Sequence, residues 1–341
     1  EFRAWVAQLA TFLLAVKQFF DQEQKELALW DHDTQRTVGE ELLAAVTPDL
    51  SRRLNAAAIE LGELAAQIPQ ELEAEHRAFI QSQLNPYLEA APFIWRVKHK
   101  PLGYAGDYEM MNMLYRDHRE GDGLFAKALN VWATSQPAAR ANINRIEYIG
   151  SKLQETIRSR PEGVVRVASI GCGPAQEIYS FLKRYPELGR RLDIALIDQE
   201  EKAIDYCERS LAPLAAGTGA HIRVIKDSAR RLLTDRRLAA SLGECDLLYS
   251  AGLFDYLAAR SFSALLATLY GALAPDGVLL IGNVAQHNPD RAQMEYIGEW
   301  YLHHRSPDEL LALAGNLQPV PKRVSVDAEP TGVNLFLVVE R

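Results

Sequence analysis

Residues 164–176, VVRVASIGCGPAQ, contain the pattern that decides the fold of this chain. β-Branched apolar residues lead into a short turn, and a segment of helical character follows it. The turn consists of Gly171, Cys172, Gly173 and Pro174. A strand, a glycine turn and a helix in this order form the first unit of a nucleotide-cofactor fold, because glycines let the backbone approach a ligand closely. The turn alone does not select the cofactor.

Short apolar runs alternate with helical segments from residue 164 onward. The runs cover residues 164–170, 192–197, 222–225, 246–249 and 278–281, and the helical segments cover 176–184, 200–211, 228–240 and 261–273. This alternation predicts a parallel, doubly wound α/β sheet. Two further strand-like runs, 320–326 and 332–339, lie close enough together for an antiparallel hairpin. The predicted fold is therefore a Rossmann-like sheet that ends in a hairpin.

The N-terminal part of the chain shows only helical periodicity. Apolar residues recur at helical spacing through residue 90, with predicted helix ends at Pro69 and Pro86. We predict an all-helical domain over residues 1–138, followed by the sheet domain over 139–341. The helices either act as a lid and substrate wall on the other domain or pair with a second copy in a homodimer.

Composition excludes several classes of function. The 341 residues carry a net charge of −8, which argues against nucleic acid as a partner. Three well-separated cysteines predict a reducing, cytoplasmic location with neither disulfides nor a metal site. No apolar run reaches the roughly 18 residues of a membrane span. The sequence begins Glu1-Phe2 in place of a Met, so we expect a trimmed N-terminus.

Polar residues follow the second and third apolar runs, where ligands bind in open α/β sheets. Asp198, followed by Gln199, can accept hydrogen bonds from both hydroxyls of a ribose. Asp227 and Ser228 can meet the amino group and ring nitrogen of an adenine. Both acidic residues also precede helical segments, so helix capping is the alternative interpretation.

The remaining features of this edge bear on the choice of cofactor. Ser250, Ala251 and Gly252 follow the fourth run and leave space for a ligand beneath small side chains. Gln176 replaces the third glycine of the G-x-G-x-x-G pattern, which permits close packing over a pyrophosphate. The sequence therefore disfavours a nicotinamide oxidoreductase.

From about residue 160 onward, the motifs VASIGCGPAQE, LIDQE, KDSARRL, DLLYSAGLFDYL and GVLLIGNVAQHNP, with the terminal hairpin, resemble class I S-adenosylmethionine-dependent methyltransferases. This resemblance implies S-adenosylmethionine as the cofactor. The residues expected to bind it are Gly171, Cys172, Gly173, Pro174, Asp198, Gln199, Asp227, Ser228, Ser250, Ala251 and Gly252. The stretch KPLGYAGDYEMMN resembles the family that makes extracellular factor 3-hydroxypalmitic acid methyl ester, which implies methylation of a fatty-acid carboxylate in quorum signalling.

Aromatic and polar residues elsewhere are candidates for binding a small-molecule acceptor. They come from the glycine-rich loop 100–108 and the helix after it, from the loop after the fifth run, and from a predicted helix at 291–305. The candidates are Tyr104, Asp107, Tyr108, Tyr115, Asn283, Tyr296, Trp300 and Arg305. Aromatic residues at helical spacing also occur in ordinary cores, and Gly and Tyr are common in plain turns.

His287 is the candidate general base, because it lies in the polar loop after the fifth run and has a near-neutral intrinsic pKa. Asp255 is the weaker alternative. A carboxylate acceptor is already anionic and needs no base, whereas an alcohol, phenol or amine often does. Two other functions stay open: methylation of another small metabolite at oxygen or nitrogen, and a non-catalytic S-adenosylmethionine-binding regulator.

Overall fold

The computed structural model describes residues 1–235, 238 and 242–341. Within this part of the chain the helices are α1 (Phe2–Leu27), α2 (His32–Ala65), α3 (Glu73–Leu88), α4 (Pro92–His99), α5 (Tyr108–Tyr115), α6 (Leu124–Thr134), α7 (Pro137–Ser159), α8 (Gln176–Arg184), α9 (Glu201–Thr218), α10 (Ala229–Thr234), α11 (Ala259–Gly271), α12 (Arg291–Tyr296) and α13 (Pro307–Ala314). The strands are β1 (Val165–Ile170), β2 (Leu192–Asp198), β3 (His221–Lys226), β4 (Cys245–Ser250), β5 (Leu273–Val284), β6 (Arg323–Ala328) and β7 (Asn334–Glu340).

The chain divides into two compact units. The first contains Glu1–Arg140 and Pro289–Tyr301, and the second contains Ala141–Asn288 and Leu302–Arg341. The segment Pro289–Tyr301 thus groups with the N-terminal helices rather than with the sheet that precedes and follows it. The division into 1–138 and 139–341 remains a prediction.

The sheet of the second unit has the predicted architecture. Its seven strands lie in the order β3-β2-β1-β4-β5-β7-β6. β1 to β5 are parallel, as in the pairing of Val165 with Leu192, and β7 runs antiparallel between β5 and β6. The α/β fold class with a closing hairpin is confirmed.

Burial explains why the central strands appear in the sequence as continuous apolar runs rather than as alternating patterns. All six residues of β4 are buried, because helices cover both faces of a parallel sheet. One face packs around Phe254, Phe262 and Leu279, and the other around Ile178, Leu196 and Tyr249. The edge strands β3 and β6 are only partly buried.

Several predicted helix bounds are wrong. The helix that precedes Pro69 is α2, which ends at Ala65 and contains Pro48. Pro86 lies inside α3, which continues to Leu88. The predicted helix 228–240 is observed as α10, and residues 236, 237 and 239–241 lie outside the described residues.

The predicted helix 291–305 is also wrong, because α12 ends at Tyr296. Glu299 adopts a left-handed φ of 50°, which a helix does not accommodate. Arg305 then pairs with Ala285 in an isolated parallel bridge. Among the described residues, none of the helices combines the length and the hydropathy that a membrane span requires.

Candidate functional site

The glycine turn after β1 is held by backbone hydrogen bonds to β2. The amides of Gly171 and Cys172 both donate to the carbonyl of Ile197, at 2.8 and 3.0 Å. Gly171 and Gly173 have φ values of +66° and +53°, which strain any side-chain-bearing residue. A Cβ on Gly173 would have no neighbour within 4 Å, so space is open above the turn. The turn therefore offers a cradle for a ligand that approaches the backbone.

Asp198 lies at the end of β2 and braces this turn. Its carboxylate accepts from the amides of Gly173 at 2.8 Å and Glu200 at 2.9 Å. Burial raises the pKa of this carboxyl, whereas the amide hydrogen bonds favour its charged form. A carboxylate offers about four lone-pair sites, so acceptor capacity remains for a ligand. Asp198 can therefore accept from backbone amides and still have lone pairs for the predicted contact with a ribose.

Asp227 and Ser228 follow β3 at the neighbouring strand end. The amide of Asp227 donates to the carbonyl of Asp198 at 2.9 Å, which joins the two strand ends. The Asp227 carboxylate accepts from the Ser228 amide and from Arg231, both at 2.8 Å. Ser228 caps α10 through its side chain, as the alternative interpretation had it. The side chain of Gln199 is exposed beside this edge.

The end of β4 is lined by small residues. The Ser250 hydroxyl donates to the carbonyl of Ile170 at 2.8 Å, so it links β4 to β1 within the sheet. A Cβ on Gly282 would lie 2.2 Å from the carbonyl oxygen of Ala251, so only glycine fits there. Ala251 and Gly252 are both partly buried.

A buried group of charged and phenolic side chains lies at the junction of β1 and β4. Glu177, in the first turn of α8, accepts from the Tyr249 hydroxyl at 2.8 Å. Burial raises the pKa of Glu177 and raises that of Tyr249 well above its ordinary value. Burial also raises the pKa of Asp255 to about 7, and Arg145 opposes the shifts of both carboxyls.

Of the charged members of this group, Asp255 is the alternative base named from the sequence, whereas Arg145 and Glu177 were assigned no role there. The Arg145 guanidinium donates to the carbonyl of Ala251 at 3.4 Å. Glu177 follows the glycine turn closely in sequence, and that proximity was the available signal.

Cys172 is buried in the turn, and its thiol sulfur lies 3.7 Å from the carbonyl oxygen of Gly173. The neighbouring Cys207 thiol and burial raise the pKa of Cys172 well above its ordinary value. A thiol in this state is a poor nucleophile. Cys172 is therefore a small packing residue of the turn.

Asn283 and Arg305, both predicted to bind the acceptor, are buried and bonded to each other. Arg305 donates to the amide oxygen of Asn283 at 2.5 Å and to the carbonyls of Phe254 and Leu257. Asn283 donates in turn to the carbonyl of His303 at 2.9 Å. Their exposed fractions are 0% and 6%, respectively. The structure gives both side chains a role in closing the loop after β5, which corrects the sequence interpretation.

Asp107, in the first unit, also has a structural role. Its carboxylate caps α5 by accepting from the Met110 amide at 2.8 Å, and it pairs with Arg96 at 2.9 Å. Tyr104, Tyr108 and Tyr115 lie partly buried in the loop before α5 and at its two ends. Because the Asp107 carboxylate is only 1% exposed, its predicted contact with an acceptor is replaced by a capping function.

Tyr296 is the last residue of α12 and Trp300 lies in the segment after it, both in the first unit. Tyr296 is 4% exposed and packs near Phe2, with ring centroids 6.3 Å apart, and near the Arg77 guanidinium. Trp300 is partly buried, and its amide donates to the carbonyl of Met294 at 2.8 Å. Tyr296 is thus a core residue of its unit, the alternative that the sequence left open.

His287 lies exposed in the loop after β5, beside the hairpin turn. A Cβ on Gly332 would be 3.5 Å from its Nε2 atom. Its role as a base remains a prediction. Among the described residues, no group of three or more His, Cys, Asp or Glu side chains is arranged to hold a metal ion.

Comparison with known proteins identifies solved structures of similar fold. No family model and no curated protein matches the sequence. A possible exported protein from Bordetella parapertussis superposes with a TM-score of 0.55 at 16% identity, over 88% of this chain and 96% of that one. What they share is the fold.

Two methyltransferases superpose less well. Magnesium protoporphyrin IX methyltransferase from Synechocystis PCC 6803 gives a TM-score of 0.48 at 12% identity, over 69% of this chain and 93% of that one. The 1,6-didemethyltoxoflavin-N1-methyltransferase from Burkholderia thailandensis gives 0.40 at 17%, over 62% and 85%.

Proposed function

We propose that this chain is an S-adenosylmethionine-dependent methyltransferase acting on a small molecule. The observation that carries the proposal is the succession of the glycine turn, Asp198 and Asp227 at the adjacent ends of β1, β2 and β3. A ligand laid along this edge meets open backbone first, then one carboxylate, then another. Adenosine joined to an amino acid has matching groups in that order.

The side chains on this edge fit that cofactor better than they fit a dinucleotide. S-adenosylmethionine contains no phosphate, and Gln176 stands where a pyrophosphate-binding turn has its third glycine. Asp198 retains acceptor capacity for the ribose hydroxyls, and Asp227 lies one strand further, on the adenine side. The open space above Gly173 admits the amino-acid portion.

When bound, S-adenosylmethionine supplies a methyl group on a sulfonium centre, which moves to the acceptor by in-line displacement. The chain's own contribution is to bind, orient and exclude water, because such reactions depend mainly on positioning. Asp198 fixes the ribose and, through the Gly173 amide, the turn beside it. The small residues after β4 keep the approach to the methyl group open.

The acceptor that we propose is a carboxylic acid, converted to its methyl ester, with a 3-hydroxy fatty acid as the specific candidate. The resemblance carried by KPLGYAGDYEMMN supports this choice. The position of His287 supports it too, because a histidine on an exposed loop is poorly held for proton removal and a carboxylate requires none. A neutral hydroxyl or amine acceptor would instead depend on His287.

Cofactor binding is tested first, by calorimetry with S-adenosylhomocysteine. We expect Asp198→Asn to weaken binding by at least about 30-fold, because two hydrogen bonds to a charged acceptor are weakened. Asp193→Asn is the matched control, since Asp193 lies at the opposite end of β2 and pairs with His221. Equal affinities of the wild type and Asp198→Asn would contradict the ribose assignment.

The acceptor is tested with S-adenosylmethionine labelled in its methyl group and a panel of 3-hydroxy and unsubstituted fatty acids. A methyl ester loses its label in mild alkali, whereas a methyl ether or methylamine retains it. We expect alkali-labile label and a His287→Ala variant that keeps its activity. Alkali-stable label lost in His287→Ala would indicate another small metabolite, and binding without any transfer would indicate a regulatory protein.

A further inference from the structure

Arg145 brings a positive charge to the end of β4 in the second unit. Its Nη1 atom is 3.4 Å from the carbonyl oxygen of Ala251, and a Cβ on Gly252 would lie 3.0 Å from the same nitrogen. The guanidinium therefore extends from α7 across the backbone that follows β4. Gly252 has no side chain to separate this charge from the space above the strands.

Two buried carboxyl groups set the charge around Arg145. Glu177 is held by the Tyr249 hydroxyl at 2.8 Å, and Asp255 accepts from the amide of Val284 at 2.6 Å. Arg145 interacts electrostatically with both. Hydrogen bonds fix both acids, and their electrostatic attraction restricts the orientation of the guanidinium. An orientation of this kind is what recognition of a planar anion requires.

The sheet order decides which part of a bound ligand reaches this cation. Adenine and ribose are assigned to Asp227 at β3 and Asp198 at β2, on one side of β1 in the order β3-β2-β1-β4. The other end of the same ligand then lies at β1 and β4. In S-adenosylmethionine that end is an α-amino acid, which carries one carboxylate and one ammonium group.

We propose that Arg145 binds the α-carboxylate of the cofactor, while the carbonyl of Ala251 accepts from its α-ammonium group. Glu177 acts as a positioning residue that fixes the guanidinium. The inference rests on the proposed function and adds a selectivity to it. The site discriminates adenosine thioethers that carry an amino acid from those that do not.

The test compares two probes by calorimetry on the full chain: S-adenosylhomocysteine and 5′-methylthioadenosine, which lacks the amino acid. Arg145→Gln should weaken S-adenosylhomocysteine binding about 30-fold, equivalent to about 2 kcal/mol, and change 5′-methylthioadenosine binding less than twofold. Arg158→Gln, an exposed arginine on the same helix, is the control and should alter neither. Retained 5′-methylthioadenosine binding also shows that the variant is folded.

The positioning role of Glu177 has its own readout. Glu177→Gln keeps an acceptor for the Tyr249 hydroxyl but removes the charge beside Arg145, so we expect about a fivefold loss for S-adenosylhomocysteine alone. A purely structural role would weaken both probes equally.

Each outcome for the arginine variant is decisive. No loss, or an equal loss for both probes, in Arg145→Gln overturns the assignment of the carboxylate. Failure of the wild type to bind either probe overturns the proposed function itself.

Discussion

The ends of β2 and β5 both carry buried polar side chains, yet the two ends use them differently. At β2, Asp198 accepts from two backbone amides and retains capacity for further hydrogen bonds. At β5, Arg305 donates to Asn283, and both side chains donate to carbonyls of neighbouring loops. Both ends look alike in sequence, since each places polar residues after an apolar run.

The difference shows what separates a strand end that can bind a ligand from one whose polar side chains stabilise the fold. A charged acceptor held by backbone amides is oriented while part of its capacity remains available. A buried cation that donates to two carbonyl oxygens and an amide stabilises the loop that it ties together. The β2 end is therefore the better place to look for ligand binding, and the β5 end for stability.

The largest effect on stability is expected at the end of β5. Arg305→Leu should lower the free energy of unfolding by at least about 3 kcal/mol, because Asn283 and two carbonyls lose a buried donor. Urea denaturation followed by circular dichroism measures it, with the exposed Arg209→Leu as control. A stable Arg305→Leu variant that loses ligand binding would show that Arg305 contacts the ligand and that the end of β5 also serves binding.

A smaller effect per pH unit is expected from Asp255, whose pKa is raised by burial to about 7 from an ordinary 3.8, with Arg145 and Arg305 opposing the shift. The folded state favours the protonated carboxyl, so its contribution is complete below about pH 4 and is lost as pH rises through 7. We expect a stability slope of up to about 1.4 kcal/mol per pH unit in that window.

Asp255→Asn, which keeps an acceptor for the Val284 amide, should remove this slope when denaturation is repeated across that pH range. An unchanged slope in the variant would assign the pH dependence to another group, such as Asp290, whose pKa burial raises to about 6.

The smallest effect is expected at the end of β4. Ser250→Ala removes the bond to the carbonyl of Ile170 and should cost about 1 kcal/mol of stability. Affinity for S-adenosylhomocysteine should stay within twofold, because the hydroxyl is used inside the sheet. A tenfold loss of affinity at unchanged stability would restore the predicted contact between the hydroxyl and the cofactor.

The sheet could be predicted because its signals are local. Continuous apolar runs such as 164–170 follow from burial on both faces, and the short connection between the last two runs fixes a hairpin. Helix ends within 1–90 were less predictable. Pro48 and Pro86 are accommodated inside helices, where tertiary packing outweighs the local preference against proline.

The candidate site was predictable only where a residue's role depends on its position after a strand. Asp198 could be found in this way. Arg145 and Glu177 could not, because their significance depends on partners such as Ala251 and Tyr249, which lie far away in sequence. Asp107 and Arg305 were overvalued for the same reason, since their partners occupy the hydrogen bonds that a ligand would need.

The grouping of Pro289–Tyr301 with the N-terminal helices has a consequence for synthesis on the ribosome. Gln81 donates to the carbonyl of Tyr296, 215 residues later, and Lys98 pairs with Glu299. The first unit therefore cannot be completed until residue 301 has been translated, after all five parallel strands of the second unit. A translation arrest before that point leaves the N-terminal helices without residues 289–301, which belong to the same unit. For the same reason, no single cut in the gene yields both units intact.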